Sequence, residues 1–118
     1  MKKIILSFVF IGSLLVAASS MAESQEDMVK KALSGDYQSQ RDLAYSYANG
    51  WGKSSDKDFI PQDAIRACAW RKVLLLSNVH KAEMNDYANE SIDCKEIPPT
   101  KNQEVWKLVW TILNSMHK

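Results

Sequence analysis

The residues best equipped for chemistry are two cysteines, two histidines and a short run of aspartates. Cys68 and Cys94 admit a disulfide, a redox pair or part of a metal site. Redox pairs usually need closely spaced thiols of the Cys-x-x-Cys kind, and these two lie far apart. A metal would have to recruit His80 and His117, and no ligand spacing joins them to the cysteines. Ser77 stands three residues before His80, yet no glycine elbow and no third group accompany the pair. Asp56, Asp58 and Asp63 run along one polar segment but lack the glycine and terminal glutamate of a calcium loop. Asp63 has a simpler role near the start of a helix, where a carboxylate offsets the dipole. Neither a metal nor a cofactor is expected, and nothing in the chain reads as an enzyme.

The compartment decides between the cysteine readings. Met1-Lys2-Lys3 is a basic start, Ile4 to Ala18 an apolar run, and Ser20-Met21-Ala22 a small-x-small cleavage site. Together these have the three regions of a secretory signal peptide, removed after Ala22. The apolar run is short for a retained anchor, and no lipobox cysteine follows it. Export in the bacterial style leads to the periplasm or beyond. There a Cys68–Cys94 disulfide is the default reading. Closing the stretch between them stabilises by roughly 3 kcal/mol in the chain-entropy model.

Residues 1–22 set aside, residues 23–118 suffice for one small domain. Loss of Lys2 and Lys3 leaves the mature chain with one more acidic than basic residue. The charges are mixed along it, and no basic cluster with interleaved aromatics invites nucleic acid. After cleavage no membrane association is expected.

Helical periods account for most of this domain. Glu23 to Leu33 has Ser24 as N-cap and Met28, Val29, Ala32 and Leu33 on one face. Asp42 to Asn49 sets Leu43, Ala44, Tyr47 and Ala48 on another, and Asn49-Gly50-Trp51-Gly52 ends it. Lys53 to Phe59 is polar and reads as a loop. Pro61 fits the first turn of the next helix, whose stripe continues through Ile65, Cys68, Ala69, Trp70, Val73 and Leu76. Two such helices should pack antiparallel.

A further pattern from Val79 to Cys94 carries Ala82, Met84, Tyr87, Ala88, Ser91 and Ile92 as its apolar face. Ile97-Pro98-Pro99 forbids continuation. Thr100 then caps a last helix from Lys101 to His117, with Gln103 at capping-box spacing. The expected fold is an all-α, compact helical-hairpin bundle of about five helices.

The stretch from Asp42 to Ser77 resembles a Sel1-like repeat, a relative of the tetratricopeptide repeat. Leu43, Ala44, Tyr47, Gly50 and Gly52 stand where that family has Leu-Gly-x-x-Tyr-x-x-Gly-x-Gly. Ala67 and Trp70 stand at its second-helix positions, with Arg71 in an aromatic slot. Gly35-Asp36 resembles the family's entry into its first helix. Lys53 departs from the pattern, and so do Leu74 and Leu75, whose bulk would set the next helix further out than in a regular array. The resemblance covers one repeat and implies a module that binds another protein. It also implies a narrower alternative, an immunity protein neutralising a toxin aimed at the periplasm. A cell-wall-active enzyme is the third and weakest implication.

Candidate partner-binding residues are aromatic. Tyr45 points away from the Leu43–Tyr47 side, toward the face repeat arrays use, although such a residue is more often an ordinary exposed tyrosine. Trp51, between two glycines, reads either as an interface anchor or as a lid folded over the hairpin end. Trp106 and Trp110, one turn apart, form either a recognition stripe or, as such pairs more often do, part of the core.

Overall fold

A computed structural model describes residues 23–116. The signal-peptide assignment and His117 fall outside that range. Five helices follow in order: α1 Gln25–Leu33, α2 Tyr37–Asn49, α3 Ala64–Ser77, α4 Met84–Lys95 and α5 Asn102–Met116. No strand occurs among the described residues, so the all-α bundle stands. One antiparallel bridge, Trp51 to Ile60, closes the α2–α3 loop.

Short-range chemistry sets the helix starts. Ser24 caps α1 through the Asp27 N–H, Asp36 caps α2 through that of Ser39, and Asp63 caps α3 through that of Arg66. Thus α2 begins at Tyr37, a turn and more before the apolar period starts at Asp42. Pro61 lies outside α3, in the extended entry that Asp63 ends. Thr100 is not a cap, because Pro99–Lys101 forms a 3-10 turn leading into α5. The Val79–Cys94 pattern also shortens: residues 79–81 turn, and α4 begins at Met84.

Helix α3 is the hub, packed against α2, α4 and α5, while α1 lies on α2. Ala67, Cys68, Ala69, Trp70, Val73 and Leu74 are all buried, so α3 meets neighbours around most of its circumference. Leu43, Ala44 and Tyr47 enter the same core from α2, and Val105, Val109 and Ile112 from α5. Leu74 joins the buried residues, Leu75 is half-buried and Leu76 is exposed.

The buried amides of Gln40 and Asn78 are matched. Gln40, fully buried, donates to the Ala32 carbonyl and accepts from the Asn78 amide, tying α1, α2 and the end of α3 together. Cys68 and Cys94 form a disulfide, with Cα atoms 4.7 Å apart. It pins the last turn of α4 to the second turn of α3.

Candidate functional site

Helices α2 and α4 lie side by side over α3, leaving a groove between them. One part, of about 270 Å³, is lined by Arg41, Tyr45, Arg71, Asn85, Asp86 and Asn89. A second, of about 300 Å³, is lined by Ala48, Asn49, Gln62, Ala67, Ile92 and Glu96. The α2 residues among these, 41, 45, 48 and 49, recur at helical spacing along one face. Tyr45 is 54% exposed and stands in the groove wall beside Asn85 and Asn89.

The groove has a charged base. Arg41 donates from Nε and Nη2 to both carboxylate oxygens of Asp86, at 2.8 and 2.9 Å. Its guanidinium also lies 4.4 Å from the Tyr37 ring centroid and donates to the Tyr37 hydroxyl. That hydroxyl in turn donates to Asp86. Burial raises the Asp86 pKa, but Arg41, the Glu83 amide and the Tyr37 hydroxyl outweigh it and hold the carboxyl at about 2. Hydrogen bonding to Asp86 pushes Arg41 upward, while burial and the same carboxylate raise Tyr37. Arg71 Nε donates to Asp93 at 2.8 Å, and Lys72 Nζ to Glu90 at 2.8 Å. Three ion pairs therefore fasten α4 where few apolar contacts do.

None of these charged residues was a sequence-level candidate. The available signal was the spacing of Asp86, Glu90 and Asp93 at i, i+4 and i+7 on one face of α4. The apolar face expected to pack inward instead points out: Met84, Tyr87 and Ile92 are all exposed. The inward side carries Asp86, Glu90 and Asp93 instead, paired with Arg41, Lys72 and Arg71.

The tryptophan candidates lie outside the groove lining. Trp51 is half-exposed between Gly50 and Gly52, whose φ angles are 77° and 74°. Its indole N–H donates to Asp58 at 3.1 Å, and its backbone pairs with Ile60, so the ring is held rather than free. Trp106 and Trp110 are 41% and 57% exposed, so the core reading of the pair is wrong. Val105, Val109 and Ile112 occupy the buried side of α5 instead. The two rings sit 6.3 Å apart, with Lys72 over Trp106.

The reactive readings find no geometry. Ser77 donates back to the Val73 carbonyl while His80 is exposed. Asp56 accepts from the Lys53 N–H, Asp58 from Trp51 and Asp63 from Arg66. Each carboxylate fixes its own turn, loop or cap. Among the described residues no three His, Cys, Asp or Glu side chains gather as a metal site.

No protein-family model, no curated protein and no solved structure matches this chain.

Proposed function

We propose that this is a non-catalytic, exported helical module that binds another protein of the cell envelope through the α2–α4 groove and the neighbouring Trp51 loop. The carrying observation is Tyr45, half-exposed in the wall of an amide-lined groove whose base is locked by the Arg41–Asp86 pair. A tyrosine on a rigid wall loses little entropy on binding and offers both a ring and a hydroxyl. The Sel1-like motif supports the same face, since such hairpins present their first helices to partners. Export supports an envelope partner, and the Cys68–Cys94 bridge suits that compartment.

The test is retention of an envelope protein on the immobilised chain. Tyr45→Ala and Trp51→Ala should each release it while circular dichroism and melting stay unchanged. Equal retention by both variants would sink the reading. A second reading, immunity against a toxin delivered to the periplasm, is favoured by the small, disulfide-stapled build. It requires that a strain lacking the gene be killed by its parent in competition.

A further inference from the structure

Tyr47 and Trp70 are both buried, both line one cavity, and each keeps a donor without an acceptor. The cavity lies between α1, α3 and α5 and measures about 600 Å³, within the range of small-molecule sites. Val29 and Leu33 of α1, Trp70 of α3, and Leu108 and Ile112 of α5 give it apolar walls. Tyr47, 3% exposed, reaches it from α2. The Tyr47 oxygen accepts from the Gln25 amide at 2.7 Å, but its own proton meets no acceptor among the described residues. The indole N–H of Trp70, a residue 4% exposed, meets none there either. Buried polar groups are as a rule satisfied, so donors left over in a cavity wall call for an acceptor from outside the chain. Water can serve one such donor; the charge around these two selects another occupant.

Arg66 stands at the cavity edge, its guanidinium carbon 5.8 Å from the Tyr47 ring centroid. Asp63 accepts from Nη1 at 3.1 Å, and the Nε–Nη2 edge of the fork has no acceptor among the described residues. That edge offers two parallel N–H groups, the geometry that a carboxylate meets with both oxygens. The surrounding charges leave room for one anion. Glu26 and Lys30 share the α1 rim, and Asp63, Glu104 and Lys107 line the adjoining hollow, which Arg66 also lines. Asp63 is paired with Arg66, and Glu104 with Lys101 at 3.3 Å. Lys30 and Lys107, without ion-pair partners among the described residues, then outnumber Glu26 by one.

We propose that this cavity binds a free amphipathic monocarboxylate of the medium-chain fatty-acid class. The carboxylate sits on the open edge of Arg66, on the Tyr47 side, and the acyl chain lies along Val29, Leu33, Leu108 and Ile112. The cavity shares no lining residue with the α2–α4 groove, so the site stands whether or not that groove binds a protein.

Decanoate is the probe. Titrated into the oxidised, nitrogen-15-labelled chain, residues 23–118, it should shift the Trp70 indole N–H and the amides of Val29, Leu108 and Ile112 together. The shifts should saturate with a Kd between about 1 µM and 1 mM. Decanol should bind at least about tenfold more weakly, because a hydroxyl cannot engage both N–H groups of the Arg66 edge. Arg66→Gln should weaken decanoate at least about tenfold, with decanol binding and the melting curve unchanged. Arg66→Lys should recover only part of the loss, since an ammonium has no fork. No saturable shift by about 1 mM decanoate overturns the proposal. So does decanol binding as tight as decanoate, or decanoate binding that survives Arg66→Gln. Shifts gathered instead on Tyr45, Asn85 and Asn89 overturn it too, by placing the acid in the α2–α4 groove.

Discussion

Arg41 and Asp86, 45 residues apart in the chain, meet in a two-point pair of 2.8 and 2.9 Å that joins α2 to α4. The pair defines the groove, because α4 has no apolar face directed toward α2. It also fixes which side of α4 is left outside. Three ion pairs and the disulfide, with few buried apolar side chains, therefore hold the helix that forms one wall of the groove.

The sign of its pH dependence follows. Asp86 has its pKa lowered from 3.8 to about 2 in the folded chain. A lowered carboxyl pKa stabilises above the unfolded value, and that contribution disappears as pH falls from about 4 to about 2. Its size is on the order of 2 kcal/mol. Denaturant titrations at pH 6 and pH 2.5 should show the loss in the native chain. Asp86→Asn should be less stable at pH 6 and should lose less on acidification; equal acid sensitivity would remove Asp86 as the cause.

Arg41→Ala tests the same pair from the other side. It strands a carboxylate that is 2% exposed, and breaking a buried pair in this way costs about 3–5 kcal/mol. The Arg41 side chain is itself 27% exposed, so water partly relieves Asp86 and the lower end of that range is expected. Urea unfolding at neutral pH measures it, and a change under 1 kcal/mol would reduce the pair to a surface contact.

The hairpin was legible in the sequence because its signals are local. Asp36, Gly50 and Asp63 act within four residues of themselves, and Leu43, Tyr47, Ala67 and Trp70 lie inside the core along their helical periods. The orientation of α4 was not legible. A period shows that Met84, Tyr87 and Ala88 share a face, but not which way that face turns. That is decided by Arg41, Arg71 and Lys72, which lie far away in sequence and carry no local mark. The same limit explains Trp106 and Trp110: α5 has more apolar residues than one buried side can accept, and the narrower Val105, Val109 and Ile112 fill it. Tyr45 and Trp51 stand exposed where the sequence left two readings open.

The loop carrying Trp51 depends on backbone that only glycine adopts without strain. Gly52 has φ 74°, and a Cβ there would sit 3.1 Å from an Asp56 carboxylate oxygen that accepts from the Lys53 N–H. Gly52→Ala should therefore destabilise by about 1–2 kcal/mol and loosen the Trp51 ring. Gly35, with φ 97° and open space around it, should incur only the backbone part of that cost. Guanidinium unfolding compares the two, and steady-state anisotropy of Trp51 in a chain with the other tryptophans replaced reads the loosening.

The Cys68–Cys94 bridge closes a sequence separation of 26 and anchors the end of α4 that has no buried apolar residue of its own. Cys68→Ser with Cys94→Ser should cost roughly 3 kcal/mol by loop entropy. The loss should not be uniform. Lys72–Glu90 and Arg71–Asp93 remain as ties, but both rely on α4 staying docked, so α4 should open before the α2–α3 hairpin does. Amide exchange in the double variant should rise across residues 84–95 toward the rate of exposed backbone, while Leu43, Ala67 and Trp70 stay protected. Uniform loss of protection across all the helices would instead make the disulfide a global staple and α4 an equal member of the core.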